Sequence, residues 1–166
     1  MAKLERGDLE RIEVERQRIR DTYLTEPRAP SSARGIHHAA LLSGDVERTV
    51  AFYQGVLGFP LTEIFENRDY AGSNHFFFDL GNGNLLAFFD FPGLELGPYA
   101  EVLGGLHHIA ISVTPEQWER LRRRLDDAGV EYLLESGTSV YFHDPDGARV
   151  ELIADPLGEM YGTRVS

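Results

Sequence analysis

Cysteine is absent from all 166 residues of the chain. That excludes disulfides, thiolate nucleophiles and cysteine-bearing zinc sites, so any metal must be held by His, Asp or Glu. Basic residues are scarce as well. Lys and Arg number 16 against 27 Asp and Glu, a formal charge of 16 − 27 = −11. Nucleic acids and anionic lipids both demand a basic face, so neither is an expected partner. No apolar run approaches the ~18 residues that span a bilayer. The N-terminal stretch MAKLERGDLERIEVERQRIR carries charges where a signal peptide needs an apolar segment, which predicts a cytoplasmic protein. What remains, 42% hydrophobic and 26% charged, is the balance of an ordinary globular chain. Its length suits one compact domain or two small modules that share a core.

Residues 1–34 differ from the rest. Leu9, Ile12, Ile19 and Tyr23 recur at helical spacing amid dense Glu and Arg, which predicts an amphipathic helix with a thin apolar stripe. The segment Glu26-Pro27-Arg28-Ala29-Pro30-Ser31-Ser32 ends it, because proline at that density removes backbone donors. This arm carries no evident chemistry. It is either a solvated leader or a segment that packs on a partner subunit.

Beyond it the chain repeats. Gly35-Ile36-His37-His38-Ala39-Ala40-Leu41 returns as Gly105-Leu106-His107-His108-Ile109-Ala110-Ile111, an offset of 107 − 37 = 70 residues. Each copy reads as a strand followed by a helix. The first helix starts at an Asp45 cap and stops at Gly58. The second starts at Thr114, with Pro115 in its first turn and Gln117 three residues after the cap, and stops at Gly129. Extended segments follow each helix, at 61–65, 75–80 and 85–89 and then at 131–135, 140–143 and 149–153. Turn chemistry lies at Gly81-Asn82-Gly83 and Asp144-Pro145-Asp146-Gly147. The prediction is an α+β fold: two βαβββ modules forming a curved, cup-shaped mixed sheet with helices on its outer face, plus the N-terminal helical arm. The modules run over residues 35–103 and 104–157, with a tail at 158–166.

The paired Gly-x-His-His strands, the helix end Phe52-Tyr53-x-x-Val56-Leu57-Gly58-Phe59 and the run Asp144 to Glu151 together resemble the vicinal oxygen chelate superfamily. Its members include glyoxalase I, extradiol dioxygenases, an epimerase, fosfomycin-resistance thiol transferases and bleomycin-binding proteins. The resemblance implies one divalent metal ion in the cup, held by His38, His108 and Glu151. Strand alternation agrees, since only one His of each pair can enter the cup. Two imidazoles and a carboxylate form a facial triad with open positions, and the same set can hold iron, manganese, zinc, nickel or cobalt. His37 and His107 are left as packing residues or as supports behind the ligands.

The departures carry information. Glu151 lies four residues after Gly147, whereas the position four after Gly83 is Ala87. The resemblance therefore implies a three-ligand centre, closer to dioxygenases or thiol transferases than to glyoxalase. Tyr141, Asp144, Pro145, Gly147 and Glu151 fit the tail of the extradiol signature, which implies a catalytic Tyr141 in the cup. The His expected shortly before that Tyr is absent; the general-base His that the resemblance implies after the first module's last strand also has no counterpart, and His75, on an earlier strand, is the spare candidate. Arg149, two residues before Glu151, shares its face and suits an anionic oxygen. Arg149, His75, Phe77 and Phe89 are the expected substrate contacts. The leading expectation is a metal-dependent enzyme, dioxygenase-like or lyase-like, acting on a small oxygenated and apolar or aromatic molecule. A non-catalytic binding or resistance protein, an isomerase with an atypical ligand set, and a metal-free interaction module are the alternatives. A homodimer is expected, its modules paired within one chain or exchanged between two.

Overall fold

The computed structural model describes residues 4–24, 26–27 and 30–165. The predicted linker residues 28 and 29 lie outside it. The chain divides into two units, residues 1–35 and 36–166. In the first, α1 (Arg6–Tyr23) is one helix with no buried residue. Its charges pair along the surface, as in Arg6–Glu10 at 3.1 Å and Arg11–Asp8 at 2.9 Å. Such pairs add only a few tenths of a kcal/mol each, about 0.2–0.5. Leu9, Ile12, Ile19 and Tyr23 are all exposed, so the predicted stripe is present and bare within its own unit.

The second unit contains the repeat. β1 (His38–Leu42) leads into α2 (Val46–Val50), capped by the Asp45 carboxylate, which accepts from the Arg48 amide. β2 (Leu61–Glu66), β3 (Asn74–Asp79) and β4 (Leu85–Phe89) complete a sheet in the order β1-β4-β3-β2. The second copy is β5 (Ile109–Ser112), α3 (Pro115–Asp127), β6 (Tyr132–Glu135), β7 (Ser139–His143) and β8 (Arg149–Ile153), in the order β5-β8-β7-β6. In each sheet the first and last strands pair in parallel and the others antiparallel. Both βαβββ modules are thus as expected, on two four-stranded sheets. The tail adds a small hairpin, β9 (Glu159–Met160) with β10 (Thr163–Arg164). No helix among the described residues is long and apolar enough to cross a membrane.

The first helix of the repeat is not regular throughout, as its sequence would suggest. After α2 the chain widens into a π-helical turn over residues 51–56, with the Leu57 amide donating to the Phe52 carbonyl at 3.0 Å. A regular α-helix separates neighbouring side chains by about 100°. The wider turn lets both Phe52 and Tyr53 bury, at 8% and 0% exposure. Tyr53 packs on Phe78 and Phe88 of its own sheet, while Phe52 meets Phe142 of the other module. One hydrophobic cluster therefore serves both sheets. It joins Phe76, Phe78, Leu86 and Phe88 to Val140, Phe142, Val150 and Leu152, with Trp118, Leu121 and Leu125 of α3.

Polar contacts lock the modules at the same seam. The buried Tyr53 hydroxyl donates to Asp144 Oδ2 at 3.0 Å, Arg48 pairs with Asp146 at 2.7 Å, and Arg124 donates to the Gly55 carbonyl at 2.6 Å. The Asp144-Pro145-Asp146-Gly147 turn is built for this. Asp144 Oδ1 accepts from the Asp146 and Ala148 amides, and Gly147 takes φ +90°, which an L side chain rarely adopts.

Candidate metal centre

The strand registers place the candidate side chains. In the second module Glu151 is opposite Ala110 on one side and Tyr141 on the other. In the first, Ala87 is opposite Ala40 and Phe77. Ala87 therefore stands at the position of Glu151, as the spacing from the two glycines predicts. By the same registers Phe77 matches Tyr141, His75 matches Ser139, and Leu85 matches Arg149. In both sheets these side chains alternate with those of the shared core, so they occupy the faces turned away from it.

Glu151 is 2% exposed, yet both of its oxygens are engaged. The Ser139 hydroxyl donates to Oε1 at 2.6 Å, and His108 Nε2 lies 3.1 Å from Oε2. A buried carboxylate is stable only when paired and hydrogen-bonded. The Tyr141 ring lies 5.6 Å from that of His108. Desolvation first, and then the influence of the nearby Glu151 carboxylate, push the Tyr141 hydroxyl up to about 12. Tyr141 is thus held protonated at neutral pH, as a donor. The Arg149 guanidinium sits 4.7 Å from the Tyr141 ring centre and 3.7 Å from Glu101. A cleft of about 460 Å³ is lined by Glu101, Leu133, Tyr141, His143 and Arg149. Sequence reasoning missed Ser139 and Glu101. Ser139 carried a signal, since it precedes Tyr141 by two residues and so shares its face. Glu101 lies in an irregular linker with no periodicity to place it.

The first module presents an aromatic wall. His75 stacks on Phe89 with centroids 3.8 Å apart and meets Phe77 at 4.2 Å, while Phe65 and Phe91 extend the row. His38 lies beside it, its ring 6.3 Å from His75 and 6.1 Å from Phe77. Desolvation, reinforced by His38, holds the His75 imidazole below the usual histidine range, hence neutral.

The His pairs do not behave as alternating strand residues. His37 and His38 approach through their Nδ1 atoms at 2.9 Å, and His107 and His108 do so at 2.6 Å. The reason is positional. β1 begins at His38 and β5 at Ile109, so one member of each pair or both precede the pleat. The contact engages Nδ1 of each ligand candidate and leaves Nε2 as the atom for metal. A partner at one ring nitrogen holds an imidazole's orientation, here a neighbouring imidazole in place of the more usual carboxylate or carbonyl.

Within one chain the described residues include no group of three His, Cys, Asp or Glu able to hold a metal. His108 and Glu151 meet; His38 stays with the other module. The expectation that strand symmetry gathers all three is not met in a single chain. Both sheets turn their core faces toward one shared cluster, and the faces that carry His38 and Glu151 alternate away from it.

Residues 35–152 match the model of the Glyoxalase/Bleomycin resistance protein/Dioxygenase superfamily. MhqA of Bacillus subtilis, by name a ring-cleaving dioxygenase, is 30% identical over 79% of this chain and 43% of its own length. The chain thus spans less than half of that relative. A lactoylglutathione lyase of Salmonella typhimurium is 32% identical over 70% of this chain and 89% of its own. The solved fosfomycin resistance protein FosX of Listeria monocytogenes, a mutant form in complex with Mn(II) and a dihydroxypropylphosphonic acid, aligns at TM-score 0.56 and 26% identity, over 75% of this chain and 95% of that one. With its two βαβββ modules and the matched span, the chain belongs to the glyoxalase, bleomycin resistance and dioxygenase superfamily.

Proposed function

We propose that this protein is a metal-dependent enzyme of that superfamily, acting on a small oxygenated molecule with an apolar or aromatic side. One divalent ion would be held by His108 and Glu151 of one chain and His38 of a second, in a homodimer with exchanged modules. The observation that carries this reading is the buried Glu151 carboxylate aligned on His108 Nε2 at 3.1 Å. The donor set fits: a carboxylate fixed by Ser139 beside an imidazole whose Nδ1 is already engaged suits a first-row divalent ion. The separation of His38 from that pair supports completion by another copy. Ala87 supplies no second carboxylate at the position matching Glu151, which disfavours an isomerase that needs one there.

The ion, when bound, supplies Lewis acidity toward neighbouring oxygens of the substrate. The remaining work falls to the chain. The protonated Tyr141 hydroxyl donates to a developing oxyanion. Arg149 positions an anionic oxygen beside it. Phe77, His75 and Phe89 seat a flat apolar face and exclude water. A dioxygenase-like or lyase-like reaction fits this arrangement best. The test is the metal content of tag-free protein purified without chelators. About one ion per chain is expected, lost in His38→Ala, His108→Ala and Glu151→Ala alike; retention in all three variants contradicts the site.

A further inference from the structure

The match between modules bears on a residue that the three-ligand set does not use. Ser139, the counterpart of His75, reaches the carboxylate of the neighbouring central strand at 2.6 Å. A side chain at that position therefore reaches the ligand position. In the first module the ligand position is Ala87 and the reaching side chain is an imidazole. His75 pairs with Phe89 at one end of the sheet, and His38 pairs with Leu85 at the other. Their rings nonetheless come within 6.3 Å. The small Ala40 and Ala87 between them leave room for that approach. Stacking on Phe89 and a tilted contact with Phe77 fix the His75 ring. Its Nε2 is buried and has no hydrogen-bond partner among the described residues. Buried polar atoms are almost always satisfied, so an orphan nitrogen beside a ligand candidate calls for a partner. Neutral imidazole nitrogen is a good donor to first-row divalent ions.

We propose that His75 is a fourth protein ligand, its imidazole taking the place of the carboxylate that Ala87 lacks. The centre then holds three imidazoles and one carboxylate, which leaves a pair of positions on an octahedral ion for the substrate. This rests on the metal site described above. The aromatic stack acts as the support that fixes the ligand's orientation, a role usually filled by a hydrogen bond.

The test uses the tag-free full-length protein loaded with Co²⁺ alone. Each ligating imidazole with a protonated second nitrogen gives one strongly shifted exchangeable N–H resonance in the proton spectrum. Three such resonances are expected in the wild type and two in His75→Phe, which keeps the stack. Chelator competition should show Co²⁺ affinity falling about tenfold or more in that variant. Two resonances in the wild type overturn the proposal whether or not the variant folds. If His38→Ala and Glu151→Ala lose Co²⁺ while His75→Phe keeps both affinity and spectrum, His75 alone is excluded. If His38→Ala and Glu151→Ala bind Co²⁺ as the wild type does, the metal site itself is wrong and His75 falls with it.

Discussion

Asp144 offers a quantitative test of how the modules are joined. Its side chain is 5% exposed and accepts three hydrogen bonds, from the Tyr53 hydroxyl at 3.0 Å, the Asp146 amide at 3.0 Å and the Ala148 amide at 2.8 Å. Asp144→Ala strands all three donors. Tyr53 is fully buried, so its hydroxyl has no water to turn to. Each stranded buried group costs about 1–3 kcal/mol, and with partial rescue of the Asp146 amide the loss should be roughly 3–6 kcal/mol. That is a large share of the about 5–15 kcal/mol that holds a domain folded. Asp144→Asn keeps the acceptor for both amides and should lie within about 1 kcal/mol of the wild type. The pH dependence separates the two effects. Burial, the largest influence, holds the Asp144 carboxyl above its ordinary value of 3.8 against the bonds that favour the charged form. A raised folded-state pKa means that the folded chain keeps the proton longer than the unfolded chain. The stability contributed is then full below 3.8 and is lost as pH rises through the folded value. The wild type should weaken relative to Asp144→Asn across that window and run parallel to it above. Urea unfolding followed by the single, buried Trp118 reads both quantities. An Asp144→Ala variant as stable as the wild type, or an Asp144→Asn variant as weak as Asp144→Ala, refutes the seam as described.

Two further outcomes concern the polar side of the cleft. Arg149→Leu should weaken an anionic ligand by about 1.5–3 kcal/mol in calorimetry and a neutral one far less, because the lost contact is a hydrogen bond to charge; equal losses would make Arg149 only a partner of Glu101. Glu101→Gln should strengthen anion binding modestly, since it frees a guanidinium now 3.7 Å from a carboxylate; unchanged affinity would show that this exposed pair does not compete with the ligand.

The sequence is legible where local chemistry governs. The Asp45 and Thr114 caps, the Gly58 and Gly129 stops and the Asp144 turn mark their elements because each satisfies backbone groups within a few residues. The correspondence of Ala87 with Glu151 is also local, a count from a turn glycine along a strand of period two. What escaped depends on distant partners. The π turn exists because Tyr53 and Phe52 both find cavities, one above their own sheet and one against Phe142. The orientation of His37 and His107 depends on where the pleat begins, which spacing alone leaves open by a residue. Glu101 reaches Arg149 from a linker without pattern. Above all, a repeat predicts which residues correspond without predicting which face of each module meets the other. The aromatics of alternate register, Phe76, Phe78 and Phe88 with Phe142, bind the modules through their helix sides. His38 is thereby kept apart from His108 and Glu151.

That separation makes subunit complementation the most direct test of the central claim. His38→Ala and Glu151→Ala chains, each unable to bind metal alone, would be unfolded together in equal amounts, refolded and assayed for tightly bound divalent ion. If the site is built from two copies, every mixed dimer contains one wild-type set, with His38 from one chain and His108 with Glu151 from the other. Random pairing makes half of the dimers mixed, and each rebuilds one of its two sites, so about one quarter of wild-type metal binding should return. A mixture that binds no more metal than either variant alone would place all three ligands on one chain and contradict the account.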